Sequence, residues 1–580
     1  MSLLERIEAP AGDEEIEAGK RLIRAGSARG SSLGERLACR LHRLAWKTPF
    51  HSLRLRGRFP LKLLAVPKDP IAGDKAAGLE IMRGTIAHGG KSVGVAKIDF
   101  NDPALPPHLS DHIQSFAWLR DVAAAATRER AAQLCEHLVR EWLSQCGGRV
   151  AENGWRSDLW ARRIFFWAAY APYILSSRDL VYRSAVLNAM ARGSRHLDRG
   201  AGKAPPGVAR VTAWAGVITS SLVIQGGPAR LKKGEAGLIR SLGDALHDDG
   251  GLVSRSPTEQ LALVEILAQL RSAYAAARKQ MPEPVADALS RSARALLGVS
   301  LGDGALGSWQ GGNPSSRFRV AAAIEGAAQP ARPLQQARGW GYQRLEAKKT
   351  VLVLDAAPPP PARALKGGSA STLAFEMSDG ANRLVVNCGG VGEADDALPA
   401  EVVQALRTTA AHSTLTIADR NSTAVLDDGT LGKGVAEVEI SRSSQGGINR
   451  VEASHDGYAR RFGLIHRRHL ELGGDGLELS GEDLLEVRGR RRRSADLGFA
   501  VRFHLGPLVE VTSTADGQGA LLRIRGGGAW RFRCRGGVFS IEKSLWVDGA
   551  AHPHRTQQLV ISGAVPVDGA AIAWSFKRAG

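Results

Sequence analysis

The chain has 580 residues, 44% of them apolar, which is more than one hydrophobic core usually holds, so two or more globular domains are expected. Its formal net charge of +19 favours a polyanionic partner such as nucleic acid, anionic lipid headgroups or a uronate-bearing glycan, although a solvated basic surface explains the charge equally well. Five scattered cysteines, with no Cys-x-x-Cys pair, argue against a disulfide framework and a zinc finger and are typical of free thiols.

The N-terminal residues 1–34 are rich in Glu, Arg and Gly, which predicts a polar, disordered leader. They contain no apolar run that could form the core of a signal peptide. No segment of the chain reaches the roughly 18 uninterrupted apolar residues that a membrane-spanning helix needs. These observations predict a cytoplasmic protein without a membrane span.

The pattern from about Leu37 to Ser300 is helical. Phe116, Leu119 and Val122 follow one another at intervals of three residues and form one apolar stripe. Similar stretches of helical length alternate with short turns that contain Gly or Pro. A series of amphipathic helices without strands predicts helical hairpins stacked around a common axis over residues 35–315.

The character of the sequence changes after Pro314. Residues 316–340 are predicted to be a linker, and Thr350–Asp355 is an apolar, β-branched run that predicts a strand. Further short β-type runs, separated by Gly, Asp and Asn, are typical of a large antiparallel sandwich over residues 341–580. The predicted fold class is therefore multidomain, with an α-helical domain followed by an antiparallel β-sandwich.

Three short stretches carry a family resemblance. They are Gly367–Glu376, Val385–Gly389 and Ala410–Thr416. Together they resemble the opening of the C-terminal domain of heparinase II/III-like proteins, whose pattern is His-x-His-Ala-Asp-x-Leu-Ser-Phe, then a strand ending near Asp-x-Gly, then Ala-His-Asn-Thr-Leu. In this chain Gly367 and Ser369 stand in place of the two leading histidines. Asn387 stands near the expected aspartate, and His412 is retained.

The resemblance covers about residues 95–560 and implies an incomplete α/α toroid followed by the sandwich. It also implies a polysaccharide lyase, which cleaves an acidic, uronate-containing polysaccharide by β-elimination. In the family a Tyr and a His transfer protons, an Asn assists, and a metal supports the sandwich side. At the family's Asn-His position this chain has Val211–Trp214, and Glu259 and Gln260 fall near the position of its Tyr-His pair.

His412 and Tyr342 are the candidate catalytic residues. The role of His412 in the family resembles that of a zinc ligand, and Tyr342 at the start of the sandwich is a candidate donor of a phenolic proton. Ser369 and Asn387 bind zinc weakly as neutral oxygen donors, so the sequence predicts no metal and no cofactor. The alternatives are a histidine hydrogen-bonded at the domain interface and a tyrosine that packs there with its hydroxyl on a backbone group.

Three basic residues are candidates for substrate binding. Arg255 is predicted to clamp a carboxylate through a bidentate contact, unless it is a surface or capping arginine. His466 and Arg468 lie on one face of a predicted strand, which either lines an anion groove or is the solvated side. The run Arg488–Arg493 has no interleaved aromatic residue and is predicted to be a solvated hairpin loop, so no nucleic-acid partner is expected.

Three functional hypotheses remain open at this point. The first is a lyase that acts on an acidic polysaccharide, with an electropositive cleft between toroid and sandwich that brings Arg255, Tyr342 and His412 together. The second is a catalytically inactive protein of the same fold that binds an acidic glycan or an envelope polymer. The third is an intracellular scaffold whose basic surface contacts nucleic acid or phospholipid. The resemblance implies the cell envelope or periplasm, and nothing in the sequence indicates an oligomeric state.

Overall fold

The computed structural model describes residues 16–26, 33–46, 48–59, 62–148, 150, 152–224, 227–328, 331–362, 364–390, 392, 398–488 and 497–579. Helices dominate the described part up to residue 328, and antiparallel strands dominate the part after it. The predicted fold class, a helical domain followed by an antiparallel β-sandwich, is therefore confirmed.

Some of the helices begin after a residue whose side chain caps the first turn. The α-helices are α1 (Leu33–Trp46), α2 (Pro49–Arg54), α3 (Lys75–Met82), α4 (Pro107–Ser115), α5 (Trp118–Ala125), α6 (Arg128–Trp142), α7 (Glu152–Trp155), α8 (Ser157–Ala169), α9 (Ala171–Ile174), α10 (Leu180–Gly200), α11 (Val208–Val223), α12 (Pro228–Ala245), α13 (Pro257–Ala276), α14 (Glu283–Gly298), α15 (Arg317–Ala327), α16 (Ala400–Leu406) and α17 (Ala459–Phe462). Asp74, Asp179 and Ser256 each accept a hydrogen bond from a backbone N–H of the first turn that follows them. Within the described residues, none of the helices combines the length and apolar character needed to cross a membrane.

The core of the helical domain is built around aromatic rings. Trp118, Trp142, Trp160 and Trp167 are fully buried there. The guanidinium of Arg163 lies 4.0 Å from the ring centroid of Trp142 and 4.5 Å from that of Trp160. A buried cation is stable in this position because the ring faces attract it electrostatically and its N–H groups donate to the Gln114 and Gly154 carbonyls.

The strands form two large sheets and one hairpin. The strands are β1 (Gly19–Arg24), β2 (Thr85–His88), β3 (Lys91–Gly94), β4 (Tyr342–Ala347), β5 (Thr350–Asp355), β6 (Phe375–Asp379), β7 (Asn382–Val386), β8 (Leu415–Ile417), β9 (Glu437–Gln445), β10 (Ile448–His455), β11 (Leu464–Leu472), β12 (Glu478–Val487), β13 (Gly498–Leu505), β14 (Val509–Ser513), β15 (Gly519–Ile524), β16 (Ala529–Arg535), β17 (Val538–Val547), β18 (Pro553–Ala564) and β19 (Ala570–Ala579). One sheet has the order β1-β9-β10-β11-β12-β19-β16-β15-β14. The other has the order β17-β18-β13-β7-β6-β5-β4, with β8 also paired to β13, while β2 and β3 form the hairpin.

Strand β5 joins the second sheet to the helical domain. Val351 and Val353 belong to the hydrophobic core of the helices, whereas Leu352 and Leu354 belong to the core between the two sheets. Successive side chains of a strand point to opposite faces of the sheet. This sheet is therefore the middle layer, and its helix-facing side forms the domain interface.

Two details differ from the sequence expectations. Part of the segment predicted to be a disordered leader is ordered, because Gly19–Arg24 forms β1 and pairs antiparallel with β9. Part of the predicted linker is helical, because Arg317–Ala327 forms α15 and packs on α13. The exact limits of the two domains remain a prediction.

Candidate functional site

A cavity of about 1390 Å³ lies in the helical domain at its border with the sandwich. Residues of α3, α4, α5, α8, α11, α13 and α15 form most of its wall. Leu365, Lys366 and Gly392 complete the wall from the sandwich side. The cavity therefore occupies the cleft in which the sequence predicts the site.

The charges of the cavity wall are mixed in sign. Its acidic residues are Asp74, Asp111, Asp121, Asp158, Glu259, Glu265 and Glu325, and its basic residues are Lys75, Arg120, Arg156, Arg162, Arg319 and Lys366. Several of these neutralise one another, since Arg319 binds Glu265 at 2.7 Å and Arg156 binds Asp111 at 2.8 Å. The expectation of an electropositive cleft is wrong for this wall, because acidic side chains are as numerous as basic ones.

Arg162 differs from the other arginines of the wall. It lies on α8, is partly buried, and makes no hydrogen bond or ion pair with any described residue. Arg120, in contrast, is held by Asp69 through two hydrogen bonds of 2.8 and 3.1 Å. Arg162 therefore retains all its N–H donors for a ligand in the cavity.

Phe318 supplies an exposed aromatic ring to the same wall. It is the second residue of α15, and 72% of its surface is exposed. The guanidinium of the neighbouring Arg317 lies 4.8 Å from its ring centroid. An exposed phenylalanine beside a large cavity is the kind of surface on which the apolar face of a sugar ring packs.

Two of the residues near the family's catalytic positions in the helical domain make hydrogen bonds to backbone carbonyls. Thr212 donates its hydroxyl to the Val208 carbonyl at 2.7 Å. Gln260 is fully buried and donates to the Gly250 and Ser292 carbonyls, so it is structural. Glu259 does line the cavity, whereas no tyrosine lies among the described residues of the wall.

Arg255 is an interface residue and not an exposed carboxylate clamp. Only 4% of its surface is exposed, and its guanidinium donates to Asp355 at 2.6 Å. It also donates to the carbonyls of Trp340, Ala357 and Pro358. The predicted contact of Arg255 with substrate is wrong, and so is the alternative of a surface or capping arginine. The side chain is buried, and its hydrogen bonds connect a loop of the toroid to β5.

Tyr342 is buried next to Arg255. Its hydroxyl donates to the Arg255 carbonyl at 2.8 Å, and its ring packs against Trp309 and Trp340. Burial raises the pKa of this phenol well above its usual range. The catalytic prediction for Tyr342 is wrong, and the alternative of a junction tyrosine bonded to a backbone group is confirmed.

His412 is buried in the sandwich domain, outside the large cavity. Its Nδ1 is 2.7 Å from the Thr408 carbonyl oxygen, and the ring borders a void of only about 10 Å³. Burial lowers the pKa of His412 to about 4, so the ring is neutral at pH 7. The three predicted residues therefore do not meet in the cleft: Arg255 and Tyr342 are in contact below its wall, and His412 is enclosed separately.

The residues around His412 do not fit the zinc ion of the family. The side chain of Asn387 already has hydrogen-bond partners, since its Oδ1 accepts from the Ser413 N–H and its Nδ2 donates to Glu376 and to the Ser308 carbonyl. Ser369 accepts from the Gln310 N–H at 3.0 Å. Within the described residues no group of three or more His, Cys, Asp or Glu side chains is arranged to hold a metal ion.

His466 and Arg468 lie in the core of the sandwich. Both are fully buried, and both bind the carboxylate of Asp483, at 2.7 Å from His466 and 2.8 Å from Arg468. Burial opposes the ionisation of Asp483, but the two partners outweigh it and hold the pKa of this carboxyl below its usual range. The predicted binding of substrate by His466 and Arg468 is wrong, and so is the solvated alternative. In the run Arg488–Arg493, residues 489–493 lie outside the described residues.

A hydrogen-bonded network occupies the position where the family has its two leading histidines. Ser371 donates to the second oxygen of Asp355 at 2.7 Å, and Ser369 lies 3.3 Å from Ser371. Gln310 of the toroid side donates to Ser371 at 3.0 Å and to the Ser369 carbonyl at 3.2 Å. The network extends the Arg255–Asp355 ion pair, so the polar side chains in this part of the interface already have hydrogen-bond partners. Sequence reasoning missed it, because its members come from three distant segments.

A group of histidines in the cavity wall was also missed. The rings of His88 and His112 are stacked with centroids 4.2 Å apart, and His108 lies 6.2 Å from His88. Nearby, burial raises the pKa of Asp121 to about 6. The spacing of His108 and His112, four residues apart on a helix that begins after two prolines, is the signal that would have placed them on one face.

Comparison with known proteins agrees with this geometry. Residues 329–575 match the family model described as Heparinase II/III-like, C-terminal. The chain is 28% identical over 543 residues to FtsZ-localized protein C of Caulobacter vibrioides, covering 91% of this chain and 92% of that protein. The fold is similar to that of heparinase III, with a TM-score of 0.66, 12% identity and coverage of 96% and 93% of the two chains.

A heparan sulfate lyase HepC mutant from Pedobacter heparinus is similar too, with a TM-score of 0.58, 14% identity and coverage of 94% of this chain and 88% of that one. At such identities these likenesses show the fold alone. They confirm the α/α toroid followed by a sandwich, and the family match confirms the resemblance read from the three short stretches.

Proposed function

Since the chain carries the C-terminal domain of the heparinase II/III-like proteins, we propose that it binds an acidic polysaccharide in the cavity without cleaving it by β-elimination. The observation that carries this proposal is the saturated network of Ser369, Ser371, Gln310 and Asp355 where the family has histidines. The polar side chains of this network are hydrogen-bonded to one another, whereas the cavity beside it is open to a ligand.

β-Elimination needs a base and an acid, and the side chains predicted for these roles are not free to serve in the cavity. A base must remove the proton beside the carboxylate, and an acid must protonate the leaving oxygen. Tyr342 already donates to a backbone carbonyl, and the ring of His412 lies outside the cavity. Thr212 bonds within its own helix. Because none of these three side chains is available to a sugar in the cavity, we expect the bound polymer to stay intact.

Binding, in contrast, needs only what the wall provides. The cavity volume of about 1390 Å³ exceeds the roughly 300–1,000 Å³ of a usual small-molecule site, which suits several sugar units. Phe318 offers a ring on which a sugar can stack, and Arg162 offers unpaired N–H donors for a uronate carboxylate. Lys366, exposed on the sandwich side, adds a second cation.

The test is to titrate the purified protein with a panel of uronate-containing oligosaccharides by calorimetry while following the absorbance of unsaturated uronate. We expect measurable binding of at least one member and no rise in absorbance over a long incubation. An absorbance rise that survives further purification would refute the non-cleaving proposal. Absence of binding across the panel would refute the glycan proposal itself.

A second candidate function is supported by the similarity to FtsZ-localized protein C, which extends over nine-tenths of both chains. On this basis we propose that the protein associates with FtsZ assemblies. Co-sedimentation with FtsZ polymerised by GTP, compared with unpolymerised FtsZ, tests this. Equal amounts of the protein in the pellet with and without polymer would argue against it.

A further inference from the structure

The sheet that runs from β1 to β14 is the outer layer of the sandwich, and its strand β16 presents three arginines to solvent. Arg531, Arg533 and Arg535 are exposed, whereas Phe532 and Cys534 between them belong to the core between the two sheets. Successive side chains of a strand point to opposite faces of the sheet. The three arginines therefore point away from the helical domain.

A fourth arginine extends this line on the neighbouring strand. β15 pairs antiparallel with β16, and Arg523 lies opposite Ala529, two residues before Arg531. Arg523 is also exposed. A strand rises about 3.3 Å per residue, so neighbouring positions of the line are about 7 Å apart along the strand and the whole line is about 20 Å long. We call Arg523, Arg531, Arg533 and Arg535 the arginine row.

The arginine row is largely free of acidic partners. The guanidinium groups of Arg523, Arg531 and Arg535 make no ion pair or hydrogen bond with any residue that the structure describes. Arg533 is paired with Asp516, but 44% and 49% of these two side chains are exposed. Exposed ion pairs contribute little stability, so an anionic ligand can take the place of Asp516.

Arginines elsewhere on the same face of the outer sheet are neutralised. Arg467 on β11 binds Glu452 at 2.7 Å and Glu486 at 2.8 Å. Arg450 on β10 binds Glu471 at 2.6 Å. Acidic residues in register thus balance the charge of these two strands. The row lacks this balance, so it offers its positive charge to an anionic partner.

Small side chains lie beside the row. On β19, Ala573 lies opposite Arg535 and Ser575 lies opposite Arg533, and on β15 Gly519 lies opposite Arg533. The tryptophans and phenylalanines of β16 and β19 are buried on the other side of the sheet. The exposed side of β14, β15, β16 and β19 therefore has no aromatic ring on which a nucleic acid base could stack. A linear polyanion without bases fits this surface better than a single-stranded nucleic acid.

We propose that the arginine row is a second binding surface for an acidic polysaccharide, so that one molecule of the protein holds two polymer chains. The class of ligand rests on the proposed function, whereas the position of the surface does not. The flat fork of a guanidinium matches a carboxylate, and the regular steps of the row match a linear polymer with acidic groups at regular intervals. No residue of the row lines the cavity, which lies on the far side of the middle sheet. A chain in the cavity and a chain on the row are therefore cross-linked by the protein.

The first measurement is binding to immobilised polygalacturonate, a linear polymer with a carboxylate on every sugar. Arg162→Ala, which weakens the cavity, should still bind this polymer, and salt should weaken the binding. Adding Arg531→Gln/Arg535→Gln should reduce the remaining affinity about fivefold, since each exposed charge contact is weak. Both substituted positions of the row are exposed, so the fold is retained.

The second measurement is light scattering by mixtures of the protein with free polygalacturonate. The parent protein should raise the scattering because it cross-links polymer chains, and Arg531→Gln/Arg535→Gln should not. The same variant should bind short uronate oligosaccharides like the parent in calorimetry, because the cavity is unaltered. Absence of oligosaccharide binding by the parent would refute the proposed function of the cavity, and the immobilised polymer would still test the row.

The matched control is Arg178→Gln/Arg240→Gln, which removes two exposed arginines of the helical domain and the same net charge. It should bind the polymer and scatter light like the parent. The proposal is refuted if the row variant behaves like this control in either measurement. It is also refuted if duplex DNA displaces Arg162→Ala from polygalacturonate more effectively than free polygalacturonate does, since the row would then be a surface for nucleic acid.

Discussion

Replacing Arg255 by Ala should destabilise the domain interface and leave the affinity for an acidic glycan nearly unchanged. The substitution removes the ion pair with Asp355 and three hydrogen bonds to carbonyl groups. It leaves the carboxylate of Asp355, which is fully buried, with Ser371 as its remaining side-chain partner. Breaking a buried pair in this way costs about 3–5 kcal/mol of unfolding free energy.

Urea unfolding followed by tryptophan fluorescence measures this loss. Trp309 and Trp340 pack against Tyr342, whose hydroxyl is bonded to Arg255, so their emission reports on this interface. Arg255→Lys should recover only part of the stability, because the compact ammonium group of lysine cannot reach Asp355 and the three carbonyl groups at the same time. The control Arg525→Ala removes an exposed arginine at 3.7 Å from Glu510 and should leave the unfolding curve unchanged.

The reasoning fails if Arg255→Ala unfolds like the parent protein but loses its affinity for acidic oligosaccharides. That outcome would mean that the guanidinium reaches a ligand, as the sequence suggested, and that the buried ion pair is not its role.

The remaining predictions concern the cavity and the buried histidine. Arg162→Ala should weaken binding of a uronate-containing oligosaccharide by about 1.5–3 kcal/mol in calorimetry, the scale of a hydrogen bond to a charged group, while Arg525→Ala should not. Phe318→Ala should weaken the same binding by roughly 1 kcal/mol, since one ring face is covered, whereas Phe318→Tyr should retain it. His412 has a folded-state pKa of about 4, below its ordinary 6.5, so the unfolded state binds the proton first. His412 should therefore contribute up to about 3 kcal/mol of stability above pH about 6.5, and this contribution should be lost as the pH decreases toward 4. Other buried histidines with a lowered pKa, such as His504, add to the same slope, so His412→Asn should reduce the slope of unfolding free energy without abolishing it, and an unchanged slope would contradict the prediction.

The overall architecture followed from the sequence because it depends on local periodicity. The stripe of Phe116, Leu119 and Val122 correctly predicts three buried residues, although Phe116 lies between α4 and α5 and only the other two belong to α5. The alternation along β5 is equally local, with Val351 and Leu352 facing different cores. The strand β1 was missed because its burial pattern is almost entirely exposed, and only its register with β9 orders it.

The site residues were misplaced because their environment depends on partners far away in the chain. Arg468 is buried because Asp483 lies directly opposite it on β12, a register that the sequence does not reveal. Arg255 is buried because Asp355, one hundred residues later, meets it across the domain interface. A charged residue with such a partner and one without it have the same local pattern, so the sequence suggested only ligand-binding or surface roles for these residues and not buried ones.

The proposal of binding without cleavage rests on two separate groups of residues. Ser369, which stands in place of one of the family's two leading histidines, is bonded to Gln310 at the interface with the sandwich. Arg162 and Phe318 lie on α8 and α15, on the helical wall, and neither takes part in that network. This separation is why the Arg162 and Arg255 variants should differ so clearly, one in affinity and the other in stability.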